Sequence, residues 1–462
     1  MFCNFINKEH YMKKFLSLIL VFCLVICGGI FAGCGNKEIV LSGGPAYDDN
    51  VYGNGGFVVT KGDYVYFTDA YIKSSSLGSK ISNQLGSVTE TGLYRARKTV
   101  ETVDGTERPI LTDIQLMVSK VVGFENSGLY IFKDKIYFAT PTTDKDKTGT
   151  RYDLITFYSC NLDGSNLKKL HQTTKFSSGK FSMTMIDGNV YLLIYTGSEI
   201  IRVSENGEAL TIAEKVTGAI LPSRETIVSN DENPKSSECF VYYTINKESD
   251  GPIDRGNILY KAEISTGKTT ELLNKDRIKV TVKALGGGRL FYVRNELFGS
   301  TSVYSYYSNN LAENFEAGET KQLSESSLDV FVLGEYEGNN LGLAYVNPNK
   351  SLIIRNIDPK LNGEKFVDSS VNKILFSRNG YLYYATSDAV YRKSLTNSEE
   401  SAQKLSGALT IKTDYFDVDD EYLYFFAEDK AKGSDDKVIK TTEMSLYRVQ
   451  LSSAEKTPVK MA

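Results

Sequence analysis

Asp63-Tyr64-Val65-Tyr66-Phe67 is a short aromatic run behind a tight turn, and the pattern returns along the whole chain. The further copies are Lys135-Ile136-Tyr137-Phe138, Asn189-Val190-Tyr191-Leu192, Cys239-Phe240-Val241-Tyr242-Tyr243 and Arg289-Leu290-Phe291-Tyr292-Val293. Leu341-Gly342-Leu343-Ala344-Tyr345, Tyr381-Leu382-Tyr383-Tyr384 and Glu421-Tyr422-Leu423-Tyr424-Phe425 complete the set, of which the fourth and sixth are least regular. Successive starts lie 72, 54, 50, 50, 52, 40 and 40 residues apart. Downstream of each copy comes a partner, usually apolar-Tyr-basic: Leu93-Tyr94-Arg95, Phe157-Tyr158-Ser159, Ile200-Ile201-Arg202 and Leu259-Tyr260-Lys261. Val303-Tyr304-Ser305, Ile353-Ile354-Arg355, Val390-Tyr391-Arg392 and Leu446-Tyr447-Arg448 follow. Several units then show a polar Gly turn and a last short strand, as in Asn161-Leu162-Asp163-Gly164 before Lys168-Lys169-Leu170. Gly188 after Asp187 and Gly380 after Asn379 supply hairpin signals upstream. Each unit therefore reads as four antiparallel strands.

The side-chain alternation decides how such units pack. In the first copy Tyr64 and Tyr66 point to one face and Val65 and Phe67 to the other. Both faces are apolar, so the strand must be covered twice. A blade between two neighbouring blades meets that need, whereas a two-layer sandwich leaves one face polar. A period of ~40–50 residues and a range of four to eight blades are those of propellers. The expected fold is all-β: one propeller of four-stranded blades, eight in number, or seven if the weak sixth unit is not a blade. The last unit supplies its own outer strand within Lys456 to Lys460, so closure is expected from packing of the first blade on the last, without strand exchange. Residues 73–89 and 141–151 read as exposed loops, where binding residues of such folds tend to lie.

Composition fits a folded β protein. The chain has 462 residues, 41% hydrophobic, with 30 Tyr, 23 Phe and no Trp, an aromatic bias that favours strands. The formal net charge is −4 and there is no basic stripe, which argues against nucleic acid. Only His10 and His171 are present, so imidazole catalysis and His-based metal binding are poorly supplied.

The N-terminal part reads differently. From Met12 the chain runs MKKFLSLILVFCLVICGGIFAGC, with Lys13 and Lys14 ahead of an apolar Phe15–Ile26 stretch and small residues before Cys34. That is the three-part pattern of a secretory signal. Phe31-Ala32-Gly33-Cys34 resembles the lipobox of bacterial lipoproteins, departing only in Phe31 where Leu is commonest. The resemblance implies a diacylglyceryl group on the Cys34 sulfur and cleavage before it. A plain membrane anchor would need about 20 apolar residues, and Gly28-Gly29 interrupts this run. Residues 1–33 are thus expected to be a signal peptide, with Met12 an alternative start. Residues 34–54 form the lipidated cysteine and tether, and 55–462 the propeller. Cys160 and Cys239 remain in the folded part, where two buried thiols are expected in preference to a disulfide.

The repeat resembles the β-propeller lipoproteins of unknown function found in clostridia and relatives. More distantly it is similar to the YWTD propellers of low-density-lipoprotein receptors and to the propeller of the Tol system. Tyr66-Phe67-Thr68-Asp69 is its nearest approach to YWTD. The likeness covers Gly55 to Met461 and its motifs are structural, so it carries no catalytic residue across.

Candidate chemistry is sparse. Asp144-Lys145-Asp146-Lys147-Thr148-Gly149 begins like a calcium loop, but Ile155 stands where the bidentate Glu belongs. Asp417-Val418-Asp419-Asp420-Glu421 coincides with a turn, which accounts for its acids. His171 falls on an outer strand and reads as a solvent-facing edge residue. Gly286-Gly287-Gly288 lacks the helix and Lys-Ser/Thr of a phosphate loop. No catalytic residue, metal ligand or cofactor site is expected, and Cys34 is the one assigned site residue. The functional expectation is a lipid-anchored, outward-facing module at the cell membrane that binds or scaffolds a protein, peptide or envelope glycan. The rival is a polysaccharide hydrolase or lyase with paired carboxylates at the channel.

Overall fold

The computed structural model describes residues 38–462 except 49, 54, 72–90, 104, 125–126, 142–144, 147–148, 151–153, 174–179, 223–226, 229–238, 249–250, 252–253, 287, 299–300, 312–314, 316, 324–328, 337–339, 359–362, 379, 388, 398, 407–408, 410, 420, 429–443, 454–455 and 462. The described residues form eight antiparallel blades and no helix. Within a blade the strands are called A to D, in chain order, from the channel outward. Blade 1 runs Val58–Lys61, Tyr64–Thr68, Leu93–Val103 and Thr106–Val118, and blade 3 runs Lys180–Ile186, Asn189–Tyr195, Glu199–Ser204 and Ala209–Glu214. The strands of blade 2 fall within 130–172, of blade 4 within 216–273, of blade 5 within 278–323, of blade 7 within 373–404 and of blade 8 within 411–460. The sixth unit is a true blade, Asp329–Tyr336, Asn340–Val346, Leu352–Asn356 and Lys365–Asp368, which fixes the number at eight. A–B and C–D turns lie on one face of such a ring; B–C and D–A connections lie on the other.

Burial follows the alternation. Each of eight buried apolar clusters spans one blade interface, and together they go once round the ring. The first copy shows the division of labour: Val65 and Phe67 face blade 8, while Tyr66 faces blade 2. Burying one such side chain is worth ~1.5–3 kcal/mol, so both faces of every B strand contribute to the ring.

The partner motif has a geometric meaning. Its tyrosine lies directly across from a B-strand aromatic and stacks on it in blades 1, 2, 4, 5, 7 and 8, as in Phe67–Tyr94 and Phe425–Tyr447, with centroids 5.4 to 6.2 Å apart. Such pairs add ~0.5–1.5 kcal/mol beyond area burial. A β-bulge between the first and second motif residues marks the position in blades 1 to 6, for example at Leu93/Tyr94 and Ile200/Ile201.

That landmark corrects two sequence readings. In blade 5 the bulge falls at Tyr306/Tyr307, so the working triplet is Tyr306-Tyr307-Ser308 and not Val303-Tyr304-Ser305. In blade 6 it falls at Leu352/Ile353, so Ile354 stands at the basic position and Arg355 is one residue beyond. A one-residue slip on a strand reverses the face. Arg355 accordingly lies opposite Leu343, on the blade 5 side.

Closure also differs from expectation. The C-terminal Val459–Lys460 does form an outer strand, pairing with Tyr447 and Arg448. Beyond it, Ala70–Tyr71, from the B–C connection of blade 1, pairs with Met444 and Ser445 on the same strand. The outer position of blade 8 is thus shared between the two ends of the ring, and strand exchange adds to the expected face-to-face packing of blades 1 and 8.

Candidate binding surface

The basic residue of the motif is an inter-blade staple. Arg95, only 2% exposed, lies over the Tyr64 ring and donates to Leu162 O in the C–D turn of blade 2 at 3.3 Å. Arg202 lies over Tyr191 and donates to Ile264 O and Ser265 O in the same turn of blade 4. Arg392 over Tyr381 reaches Leu451 O of blade 8, and Arg448 over Tyr422 reaches Pro109 O of blade 1. Leu162, Ile264 and Leu451 each directly follow a C strand. Charge-assisted bonds of this kind hold the next blade, so these cations are spent on the ring and not on a ligand.

Acidic candidates are spent likewise. Asp417 Oδ2 accepts Val58 N at 3.1 Å, across the seam to blade 1, and Oδ1 accepts Val418 N. Asp419 Oδ1 accepts the amides of Glu421 and Tyr422, which is the expected turn, and Oδ2 also takes Tyr424 Oη at 2.7 Å and Thr60 Oγ1 at 3.1 Å. Gly56 packs so closely that a Cβ would stand 2.0 Å from Asp417 Oδ2. Further buried phenols donate to carboxylates, Tyr384 to Asp368 and Tyr345 to Glu364, each at 2.6 Å. Burial, and then the carboxylate, pushes the Tyr384 phenol up.

Cys160 is buried and Cys239 partly exposed just ahead of its strand; neither is in a disulfide. His171 lies on the outer strand of blade 2 but is half-buried, and desolvation lowers its pKa, so it is not the solvent-facing edge residue expected. Gly286 ends the inner strand of blade 5 and Gly288, at φ +66°, opens the next: a turn, as expected. Lys145–Asp146 pairs with Gly149–Thr150 in a small ladder, whereas Asp144, Lys147 and Thr148 lie outside the described residues. Cys34, the leader, the tether up to Lys37 and the 73–89 loop lie outside them as well.

What the sequence did not announce is a strap. Residues 38–48 and 50–52 run over the A–B/C–D face from the outer corner of blade 2 to the channel. Glu38 Oε1 accepts Leu167 N at 2.9 Å, and Leu41 N donates to Asp163 O at 2.8 Å. The strap rests on Gly164, at φ +88°, where a Cβ would meet Ile39 O at 2.2 Å. Arg95 clamps it from below, donating to Ser42 O and Gly43 O at 2.8 Å each. Nearer the channel Asp48 Oδ1 pairs at 3.4 Å with Lys61, a side chain only 1% exposed that also donates to Lys133 O at 2.6 Å. The Tyr52 hydroxyl bonded to Asp48 at 2.7 Å, with the Lys61 charge behind it, holds that carboxyl below its ordinary range. Val51–Tyr52 then pairs with Phe132 and Ile131, adding a fifth strand at the channel edge of blade 2. Ile227–Val228 does the same for blade 5, in parallel. Gly43, at φ +67°, is the strap position whose backbone favours glycine.

No family model and no curated protein matches this chain. Solved structures of similar shape include one of two prolyl endopeptidases, at 10% identity, 86% of this chain, 54% of that chain and a TM-score of 0.42. TolB from Acinetobacter baumannii is 11% identical over 68% of this chain and 79% of its own, with a TM-score of 0.30. A nidogen/laminin complex is 12% identical over 60% and 89%, with a TM-score of 0.28. The present chain spans about half the length of the first of these. The distant likeness to YWTD-type and Tol-system propellers is one of fold, and the neighbours differ among themselves in function.

Proposed function

We propose that this protein is a lipoprotein held at the cell membrane through Cys34 and facing outward. Its propeller serves as a non-enzymatic binding or scaffold module for a protein, peptide or envelope glycan. The observation that carries the reading is the strap. From Glu38 on, the described part of the strap is bound down on one face of the disc, which leaves the B–C/D–A face to a partner. Saturation of the repeat's arginines and of Asp417 and Asp419 within the ring supports a framework role for them. The likeness of the repeat to clostridial-type propeller lipoproteins adds support, as does the three-part leader.

Mass spectrometry of the membrane-extracted protein tests the anchor. A diacylglyceryl adduct on Cys34 is expected, and Cys34→Ser should move the protein out of the membrane fraction. Turnover of envelope glycans or peptides by the purified protein, abolished by substituting a carboxylate, would overturn the non-enzymatic half.

A further inference from the structure

Whether the ring stands off from the membrane on a free tether or lies against it depends on how much chain separates Cys34 from the first residue held by the propeller. The first described residue so held is Glu38, bonded to Leu167 N at the C–D corner of blade 2. Leu41, Ser42 and Gly43 continue the contact at once. Four Cα steps at ~3.3–3.6 Å each allow about 14 Å between Cys34 and Glu38. The ring is thicker than that: a seven-residue B strand such as Lys135–Pro141 spans about 23 Å at ~3.3 Å per residue.

From this geometry we infer that the strap and the neighbouring C–D corner of blade 2 are a membrane-apposed surface, with a lipid bilayer as its partner; this rests on lipidation of Cys34. An acyl chain buried at Cys34 brings that corner to the headgroup layer and holds the B–C/D–A face, above all that of blade 6 across the ring, farthest from it. The strap's own surface agrees. Val40 and Tyr47, at 60% and 63% exposure, are among the most exposed large apolar side chains described, and both lie on this short segment. Tyrosine is enriched where protein meets the headgroup layer. Among the described residues, Lys61 and Arg95 are drawn inward to Asp48, Lys133 O and the strap carbonyls. The attraction thus comes from the acyl chain and the apolar strap surface, not from these two cations.

The test uses the full lipidated protein, reconstituted in vesicles of phosphatidylcholine and phosphatidylglycerol that carry a headgroup nitroxide. Single cysteines for a fluorophore are introduced by Lys168→Cys, at the blade 2 corner, and by Asn349→Cys, in the B–C turn of blade 6. Both positions are exposed. Cys239→Ser removes the partly exposed thiol, while Cys160 is buried, with its thiol pushed up by that burial, and stays unlabelled. Quenching several-fold stronger at position 168 than at 349 is expected. Equal or reversed quenching, with the Cys34 adduct verified by mass, overturns the apposed surface alone. Absence of the adduct overturns the anchor, and the orientation with it.

Discussion

Two blade interfaces show where a ring made from one chain is strong and where it is not. At the seam between blades 8 and 1 the backbone is interrupted, yet Val58, Val65, Phe67 and Ala96 meet Tyr422, Tyr424, Phe426, Leu446 and Met461 in a buried apolar cluster. Asp417 and Asp419 bond across it, Arg448 staples it, and Ala70–Tyr71 latches onto the C strand of blade 8, beside its outer strand. Between blades 5 and 6 the chain is continuous, but the described cluster holds only Phe291, Tyr306 and Leu343 as fully buried members. Beside them lies a polar layer. Arg355, 7% exposed, donates to Gln322 O and Oε1, Gln322 donates to Ser308 Oγ at 3.0 Å, and Arg289 donates to the same oxygen at 3.1 Å. Among the described residues, Arg355 Nε and Asn309 Oδ1 are buried without a hydrogen-bond partner. The covalent gap is therefore not the soft place of this ring. Closure repeats the ordinary interface chemistry and adds a latch, while the departure from it lies at the blade whose motif has slipped.

The largest effect expected on this comparison comes from deleting a buried ring on each side. Phe67 and Phe291 are both fully buried, one at the seam and one at the blade 5–6 interface. Truncation of a buried Phe costs ~3–5 kcal/mol. Phe67→Ala and Phe291→Ala should therefore lower stability, read from urea unfolding, by similar amounts within that range. A seam variant that costs far less than its counterpart would mean the ring is already open there in solution.

The regular interfaces were legible in the sequence for a physical reason. A strand covered on both sides must be apolar on both sides, and Tyr64 to Phe67 carries that requirement openly. The stack of Tyr94 on Phe67 and the reach of Arg95 to the next turn are likewise local consequences of Leu-Tyr-Arg. The slipped blades were not legible, because Val303-Tyr304 and Tyr306-Tyr307 offer the same pattern. Only the bulge chooses between them, and it forms against the outer strand. Ala70–Tyr71 and Val51–Tyr52 escaped for a similar cause. Two residues have no periodicity, and their pairing is decided by where the tertiary fold brings them. Of the candidate site, Cys34 is an expectation from the leader pattern and lies outside the described residues, while the clamp of Arg95 on the strap was not legible, since Ser42 and Gly43 offer only backbone oxygens.

A smaller effect separates the two buried guanidinium groups. Arg95 satisfies three carbonyls belonging to the strap and to blade 2, so Arg95→Met leaves all three without that donor. Hydrogen bonds from a charged donor are worth ~1.5–3 kcal/mol, and a loss of about that size is expected. Among the described residues Arg355 donates only to the uncharged Gln322, and burial lowers its pKa against the raising pull of Tyr345 and Glu364 nearby. Replacing a poorly matched buried charge by an apolar side chain of similar volume is often neutral or stabilising. Arg355→Met should thus change stability by under ~1 kcal/mol. Equal losses for the two variants would show that the polar layer between blades 5 and 6 is as well matched as the staples.

A last effect is a pH dependence confined to the seam. Asp69 stands at the root of the latch, where its Oδ1 accepts Thr91 N at 2.7 Å and its backbone oxygen accepts Leu446 N from blade 8. Burial raises its pKa from 3.8 to about 6, against the lowering pull of the Thr91 amide and of the Lys460 charge. In the unfolded chain an aspartate titrates near ~3.9. Below that pH the carboxyl is neutral in both states and costs the seam nothing. Between about pH 4 and 6 the unfolded chain ionises first, so this group's contribution to stability falls as pH rises and stays low above 6. Asp69→Asn keeps the acceptor and removes the charge. It should match the wild type at pH 4 and exceed it at pH 7 by ~1–3 kcal/mol. Urea midpoints measured for both proteins across that range decide the matter. Parallel curves would mean that Asp69 is ionised in the closed ring at little cost, and that water reaches the latch despite the packing of blade 1 on blade 8.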